Sequence, residues 1–363
     1  MAVPKTTIWD LEPHTAAKHD ILRQYLSAWF PILNTYNTKI LYIDGFSGPG
    51  RYKGGEIGSP LIALEVARTH RQKLEGEIHF WFIDEDEDRL AYLVDQLAAI
   101  DRPPHFIIHT DHGRFHEVIG AALDGIAPDH GIIPTFAFID PFGFKGIPFS
   151  MVRRLLQQDK CEVLVTFMVD SVNRWINAPN EAIRRQIAEA FGSDEPLSIM
   201  DGLGERIGKL RSLYQKKLSE HAKYVRYFEM SNANDRPIYY LFFATNNPLG
   251  HVKMKTAMWK VNSDGQYRFS DGTDQNQMVF LRDDPASQLG AALMRQFAGK
   301  GELPVVLATR YVEDETAYLR THMLAAMRSL EGNGKLAVNP KKQDGRNRKK
   351  GTFPDDALIR IVS

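Results

Sequence analysis

The residues able to do chemistry gather at the carboxyl ends of four apolar runs. The first, KILYIDGF, reaches Asp44 and opens into DGFSGPGRYKGG, with glycines at 45, 48 and 50. Glycine lets a backbone adopt positive φ and approach a ligand closely. The spacing is GxxGxG, not the GxGxxG that cradles a pyrophosphate, so the loop suits a nucleotide-like ligand without one. S-adenosylmethionine is such a ligand: a methionine carboxylate and ammonium beside an adenosine. Asp44, Gly45, Phe46, Gly48 and Gly50 are candidates to hold it. The second run, FIDEDEDR, places Asp84 where an acid accepts hydrogen bonds from ribose hydroxyls. Glu85 to Asp88 suit the first turn of the following helix. In the third, HTDHG, Asp111 is either a partner for the adenine amino group or an ordinary loop acid.

The fourth run, FAFIDPFGFKGI, puts Asp140, Pro141 and Phe142 at a strand end as the candidate catalytic turn. It resembles the Asn/Asp-Pro-Pro-Tyr signature of amino-methyltransferases. There an acid or amide and a backbone carbonyl hold the target nitrogen, and an aromatic stacks on a flipped base. Here the second proline is Phe142 and the aromatic position is Gly143, so Phe142 or Phe144 would have to stack. Four strand-end features in one order point to one S-adenosylmethionine site.

Other residues near these ends are candidates for substrate or nucleic acid. Arg51 and Tyr52 follow the glycine loop, Arg51 suited to a phosphate. Lys145 lies just beyond Asp140, and Asn173 and Arg174 follow the fifth strand in VDSVNRW. His14 and Lys18 share a helical face four residues apart, on a helix expected to cover the pocket. Ser59 reads as a helix N-cap. Lys253, Lys255 and Trp259 read as a surface helix with the indole buried. Cys161 reads as a small core residue. No histidine spacing suits zinc, so no metal is expected.

These residues need a scaffold that aligns strand ends. Between residues 40 and 170, near-continuous apolar strands (39–46, 77–85, 105–111, 135–142, 162–169) alternate with helices (59–70, 87–100, 114–126, 150–160). That pattern implies a parallel sheet covered on both faces, a doubly wound α/β fold. Residues 171–223 read as mainly helical. YVRYFEMS and PIYYLFFATN then look like the late strand pair, one antiparallel, that ends a Rossmann-type methyltransferase sheet. Residues 250–272 read as a short helix and a turn.

A boundary near residue 285 divides a domain of 1–285 from one of 286–363. The second part reads as helices, including one at 314–330 capped by Asp314, then two strands joined by a basic stretch. That is the order of a winged helix-turn-helix. Residues 335–351, KLAVNPKKQDGRNRKKG, carry seven Lys/Arg and one Asp. Lys341, Lys342, Arg346, Arg348, Lys349 and Lys350 would track phosphates as a wing.

The whole chain, 363 residues with 45 basic and 45 acidic side chains, has zero formal charge. The zero hides a split of +6 on residues 335–351 against −6 elsewhere, so it does not exclude nucleic acid. One cysteine and no secretion signal imply a reducing, cytoplasmic setting. No apolar run is long enough for a membrane span.

The blocks PHTAAKHDILRQYLSAWFPIL, YIDGFSGPGRYKGGEIGSPLIAL, FIDPFG, EVLVTFMVDSVNRW and MKTAMWKV resemble the three-Cys-motif partner proteins, a bacterial and mobile-element family. The resemblance spans about residues 5–285. It implies a class I methyltransferase fold and a radical-SAM-like three-Cys-motif partner. The basic C-terminal part also looks like the winged helix appended to some members. Two functions follow: a methyltransferase-like protein acting on nucleic acid, or a non-catalytic nucleic-acid-binding scaffold. A nuclease reading is weaker, because no set of metal-binding carboxylates stands out.

Overall fold

The computed structural model describes residues 6–126, 131–199, 202–263, 266–272, 284–339 and 347–362. The chain divides into two compact units, Met1–Val261 with Arg268–Asp274, and Asn262–Tyr267 with Gln275–Ser363.

In the first unit α1 (Pro13–Tyr36) precedes β1 (Lys39–Asp44). Then come α2 (Ser59–Arg68), β2 (Glu77–Asp84), α3 (Glu87–Ala98), β3 (Phe106–His112), α4 (Phe115–Asp124) and β4 (Thr135–Ile139). They are followed by α5 (Phe149–Leu156), β5 (Cys161–Phe167), α6 (Val169–Trp175), α7 (Glu181–Phe191), a 3-10 turn and α8 (Leu203–Ser219). β6 (Tyr224–Ser231), β7 (Pro237–Thr245), α9 (Pro248–Val261) and β8 (Arg268–Ser270) complete the unit.

The eight strands form one sheet in the order β3-β2-β1-β4-β5-β7-β6-β8. β1 to β5 are parallel, β7 runs antiparallel to β5 and to β6, and β8 is parallel to β6. This is the Rossmann-like methyltransferase order, with the reversed late strand expected from the sequence. β8 was expected only as a turn; its three residues are too few for a periodic pattern. Every residue of β4 and β5 is buried. Burial of both faces explains why these strands read as unbroken apolar runs.

Along α1, Ala17, Ile21, Leu22, Tyr25, Leu26 and Trp29 recur at three- and four-residue spacing and are buried. Toward the amino ends of the strands, buried Glu162 accepts from the Tyr25 hydroxyl (2.6 Å) and the Thr245 hydroxyl (2.8 Å). These bonds tie α1 and β7 to β5.

The strand order reverses direction at β1, which lies between β2 and β4. In open α/β sheets such a switch point leaves a crevice beyond the carboxyl ends of the two neighbouring strands. Asp44 ends β1 and Asp140 follows β4, so the topology alone brings these two acids together.

The second unit contains α10 (Pro285–Phe297), β9 (Leu303–Pro304), α11 (Val305–Arg310) with a π-helical turn at Tyr311–Glu315, α12 (Arg320–Gly332), β10 (Leu336–Val338) and β11 (Leu358–Ile361). Its strands form an antiparallel sheet in the order β10-β11-β9. Its core gathers Leu289, Leu293, Met323, Met327, Leu336 and Ile359. The helix expected at 314–330 starts later. The Thr316 hydroxyl accepts from Tyr318 N (3.1 Å) and donates to Val312 O (2.7 Å), a local turn that interrupts the chain. Leu319 is the N-cap, and Asp314 lies in the π turn.

Candidate functional site

A cavity of about 380 Å³ opens at the switch point, within the size range of small-molecule sites. Three pieces of chain line it: Trp9 to His19, the loop Phe46–Tyr52 with Gly58 and Ser59, and Asp140–Phe142.

The glycine loop is shaped by backbone needs first. Gly48 has φ +60° and Gly50 φ +77°, conformations that favour glycine. Ser47 N donates to Ile83 O (2.9 Å), and Gly48 N donates to Asp84 Oδ2 (2.7 Å). Gly45 is pressed against the Phe115 ring, where a Cβ would lie 2.4 Å from the nearest ring carbon. Gly45 therefore packs the loop and does not face the cavity. Ser59, expected as an N-cap, is the first residue of α2 behind Gly58. It lines the cavity, close enough to Asp44 to act on its carboxyl.

Asp44 is fully buried behind this loop. Tyr42 donates to its Oδ2 (3.2 Å), and Oδ1 has no hydrogen-bond partner. Burial pushes its carboxyl up to about 7, with the Asp140 carboxylate adding to the effect and the nearby polar groups of Ser59, Phe46 N and Tyr42 opposing it. The Ser47 hydroxyl, also buried, likewise lacks a partner. A buried polar atom without a protein partner is costly, and Ser47 Oγ, in the cavity wall, marks where a polar ligand group fits.

Asp140 is held on both oxygens. Thr166 Oγ1 donates to Oδ1 (2.6 Å), and the Lys18 ammonium pairs with Oδ2. The β4–β5 register, with Ile139 opposite Val165, sets Thr166 beside Asp140. Lys18 is itself buried, with its Nζ 5.2 Å from the centre of the Tyr239 ring. Next to it on α1, His19 lines the cavity as a neutral imidazole. Burial pushes its pKa down to about 3, with the Lys18 cation adding to the effect. His14 points elsewhere, its Nδ1 2.9 Å from Asp271 Oδ2.

An aromatic wall closes the cavity. The Trp9 ring meets Tyr52 (5.9 Å) and Phe142 (5.3 Å) edge-on. The Arg89 guanidinium lies over both Trp9 (5.2 Å) and Phe142 (5.4 Å). Lys53 N donates to Trp9 O (2.8 Å), fixing the segment before α1 onto the loop. Phe142 thus lines the cavity, whereas Phe144 is buried in the core.

Apart from Arg51, the remaining expected residues of this unit lie outside the cavity lining. Asp84 is buried, its Oδ1 accepting from Asp86 N (2.9 Å) and its Oδ2 from Gly48 N, so it braces the loop. Asp111 is exposed on edge strand β3 and accepts from Trp81 Nε1 (2.7 Å). Asn173 is buried and accepts from Arg206 Nε (2.6 Å). Arg174 pairs with Asp170, and Lys145 is exposed. Arg51 lines the cavity while bonding Gln96 Oε1 (2.7 Å) and Gly55 O (3.0 Å).

In the second unit Lys349 and Lys350 are exposed. Arg348 is not available as expected: it is paired with Glu331 and donates to Thr352 O (2.7 Å). Lys341, Lys342 and Arg346 lie outside the described residues. Among the described residues no helix is long and apolar enough to cross a membrane.

The sequence singled out Lys18 on the helix expected to cover the pocket, and it could have signalled Thr166. Lys18 interrupts the apolar face of α1 three and four residues before Ile21 and Leu22. Thr166 is the one hydroxyl in a strand that is otherwise apolar except for Glu162. Trp9 carried no such signal, because its segment has no periodicity.

No protein-family model matches the sequence, and no curated protein does. Solved structures show a distant likeness. Trm1 from Pyrococcus horikoshii, in complex with S-adenosyl-L-methionine, is 16% identical with a TM-score of 0.37, over 72% of this chain and 62% of its own. LPL1258 from Legionella pneumophila is 14% identical with a TM-score of 0.40, over 69% of this chain and 92% of its own. Human methyltransferase-like protein 13, in complex with SAH, is 11% identical with a TM-score of 0.36, over 73% and 97%. The assignment of a Rossmann-like methyltransferase fold rests on this chain's own strand order.

Proposed function

We propose that this protein binds S-adenosylmethionine at the β1–β4 switch point and acts as a methyltransferase-like protein on nucleic acid. The carrying observation is the buried, unpartnered Ser47 Oγ in the wall of the glycine-lined cavity, with the fully buried Asp44 behind the loop that forms that wall. The donor set suits the cofactor's amino-acid end: Asp44 and Ser47 accept from its ammonium, and Arg51 offers a cation to its carboxylate. Trp9, Tyr52 and Phe142 offer aromatic surface to the adenosine, a role the exposed Asp111 does not fill. When bound, the cofactor supplies an electrophilic methyl group on a sulfonium. The chain's own contribution is alignment and water exclusion, which supply most of the catalysis in such transfers.

We read the second unit as a winged helix-turn-helix with α12 as its third helix, its exposed Lys349 and Lys350 meeting phosphates. The three-Cys-motif partner assignment, the radical-SAM-like partner and the cytoplasmic setting rest on the sequence resemblance and on the single buried cysteine, Cys161.

A second reading, a non-catalytic scaffold that delivers nucleic acid to another enzyme, is favoured by one observation. Thr166 and Lys18 brace Asp140 from within the fold, an arrangement that also suits a structural role.

The test is calorimetry with S-adenosylmethionine, and separately salt-dependent DNA and RNA binding. Cofactor binding is expected, and its absence refutes the cofactor site. Replacing Lys349 and Lys350 by Gln is expected to lower the salt slope by about 2. An unchanged slope removes the wing from the interface.

A further inference from the structure

We infer that His19 is a ligand contact of this cavity, an imidazole that exchanges a hydrogen bond with an uncharged polar group, a hydroxyl or an amide. The inference rests on the cofactor reading above for the cavity's occupant and deepens it by naming what the α1 wall recognises.

The imidazole is buried and unspent. His19 is 6% exposed and lines the cavity. It packs beside Tyr52, with the ring centres 5.7 Å apart. Among the described residues neither ring nitrogen has a hydrogen-bond partner. A histidine that served the fold alone would have one, since buried polar side chains are nearly always paired. Its neighbour in the chain shows the contrast: Lys18 is also buried and is paired with Asp140.

Two hydroxyls of the lining share this state. Thr15 stands four residues before His19, on the same face of α1, and Tyr52 ends the glycine loop. Among the described residues neither hydroxyl has a hydrogen-bond partner. Ser47 Oγ is in the same condition, but the reading above already gives it the cofactor's ammonium.

The charges around these groups are answered. Lys18 and Asp140 pair with each other and sum to zero. Arg51 is assigned to the cofactor's carboxylate. Arg23, one turn beyond His19, pairs with Glu65 at 3.0 Å. Glu12 Oε2 lies 3.0 Å from His14 Nε2, and Asp10 is exposed to solvent. His19 is itself neutral. What it offers is one N–H and one lone pair, beside hydroxyls that both donate and accept. A charged ligand group brought against it would lose its water and gain no ion partner. A hydroxyl or an amide can give to the bare nitrogen or take from the N–H, whichever tautomer is present.

Within the cofactor reading such a group has two sources. One is the cofactor's own nucleoside. Asp84, the acid the sequence offered to the ribose, is spent on Gly48 N and Asp86 N, which leaves the ribose in need of another partner. The other is the sugar or base edge of a nucleic-acid acceptor.

The experiment uses the full chain as wild type, His19→Leu and His19→Gln. Leucine removes the nitrogens at similar size, and glutamine keeps an uncharged donor and acceptor. In the free protein His19→Leu is expected to raise Tm by about 2 °C, because no protein hydrogen bond is lost with the imidazole. A lowered Tm shows an imidazole that serves the fold and overturns the inference. Calorimetry with S-adenosylhomocysteine and with adenosine is expected to show about tenfold weaker binding in His19→Leu and binding within about threefold of wild type in His19→Gln. That pattern assigns His19 to the cofactor's nucleoside. Where the three proteins bind S-adenosylhomocysteine alike, adenosine, guanosine, cytidine and uridine are added in excess to its complexes. A Tm rise in wild type and His19→Gln but not in His19→Leu then assigns His19 to the acceptor. No difference with either set of probes overturns the contact and leaves the cofactor site standing. Failure of S-adenosylmethionine and S-adenosylhomocysteine to bind the wild type overturns the cofactor reading. The nucleosides added to the free protein then decide His19 by the same pattern.

Discussion

The two halves of the parallel sheet carry the same residue type at their strand ends and use it differently. On the β1–β4 side, Asp44 keeps an oxygen without a partner and Asp140 is locked to Lys18 and Thr166 beside an open cavity. On the β2–β3 side, Asp84 spends both oxygens on the backbone of the glycine loop and of α3. Asp111 lies out on the edge strand with Trp81. Only where the topology leaves a crevice can an acid at a strand end come within reach of a ligand. Elsewhere the nearest orphan N–H claims it.

The comparison breaks most sharply at the pair of buried Lys18 and part-buried Asp140. Lys18→Met strands Asp140 and is expected to lower the stability by about 3 kcal/mol in urea unfolding. Adding Asp140→Asn should restore most of the loss. A double variant as unstable as the single one would show that Lys18 acts through packing and not through charge.

Next is the pH dependence of Asp44. Its carboxyl lies at about 7 in the folded protein against an ordinary 3.8. The native state therefore holds a proton that the unfolded chain has released across that interval. Stability from this group is complete below the lower value and is lost as pH rises through the upper one. Asp44→Asn should flatten the stability profile between these values and exceed wild type at pH 8 by about 2 kcal/mol. Parallel profiles for the two proteins would show that the carboxyl is not shifted.

The smallest effects separate the other two acids. Asp84→Ala orphans two backbone N–H groups and should cost about 1.5 kcal/mol. Asp111→Ala, on the exposed edge, should stay within about 0.5 kcal/mol. Thermal melts of the two variants decide it, and equal losses would erase the contrast between brace and surface acid.

The sheet was legible because doubly buried strands are unbroken apolar runs. The five parallel strands and the β6–β7 pair fall where the sequence put them, within a few residues at each end. The cavity's acids were legible for the same reason, since a strand end marks itself by the first polar residue after the run. Which acid faces a ligand was not legible, because that depends on strand order and on which backbone N–H groups need a partner. Gly45 shows the same limit. It reads as a ligand contact, yet its missing side chain makes room for Phe115, seventy residues away in sequence. Trp9 was invisible because its segment gains its place only by packing on Tyr52, Phe142 and Arg89. The late start of α12 follows from a local hydroxyl bond at Thr316 that competes with the helix.

The central claim is that the cofactor binds at the β1–β4 end of the sheet. Titrating S-adenosylmethionine calorimetrically into wild-type, Asp44→Asn and Asp111→Ala proteins at pH 8 tests it most directly. The account predicts binding to the wild type, loss in Asp44→Asn and retention in Asp111→Ala. Binding that survives Asp44→Asn and is lost in Asp111→Ala would contradict it.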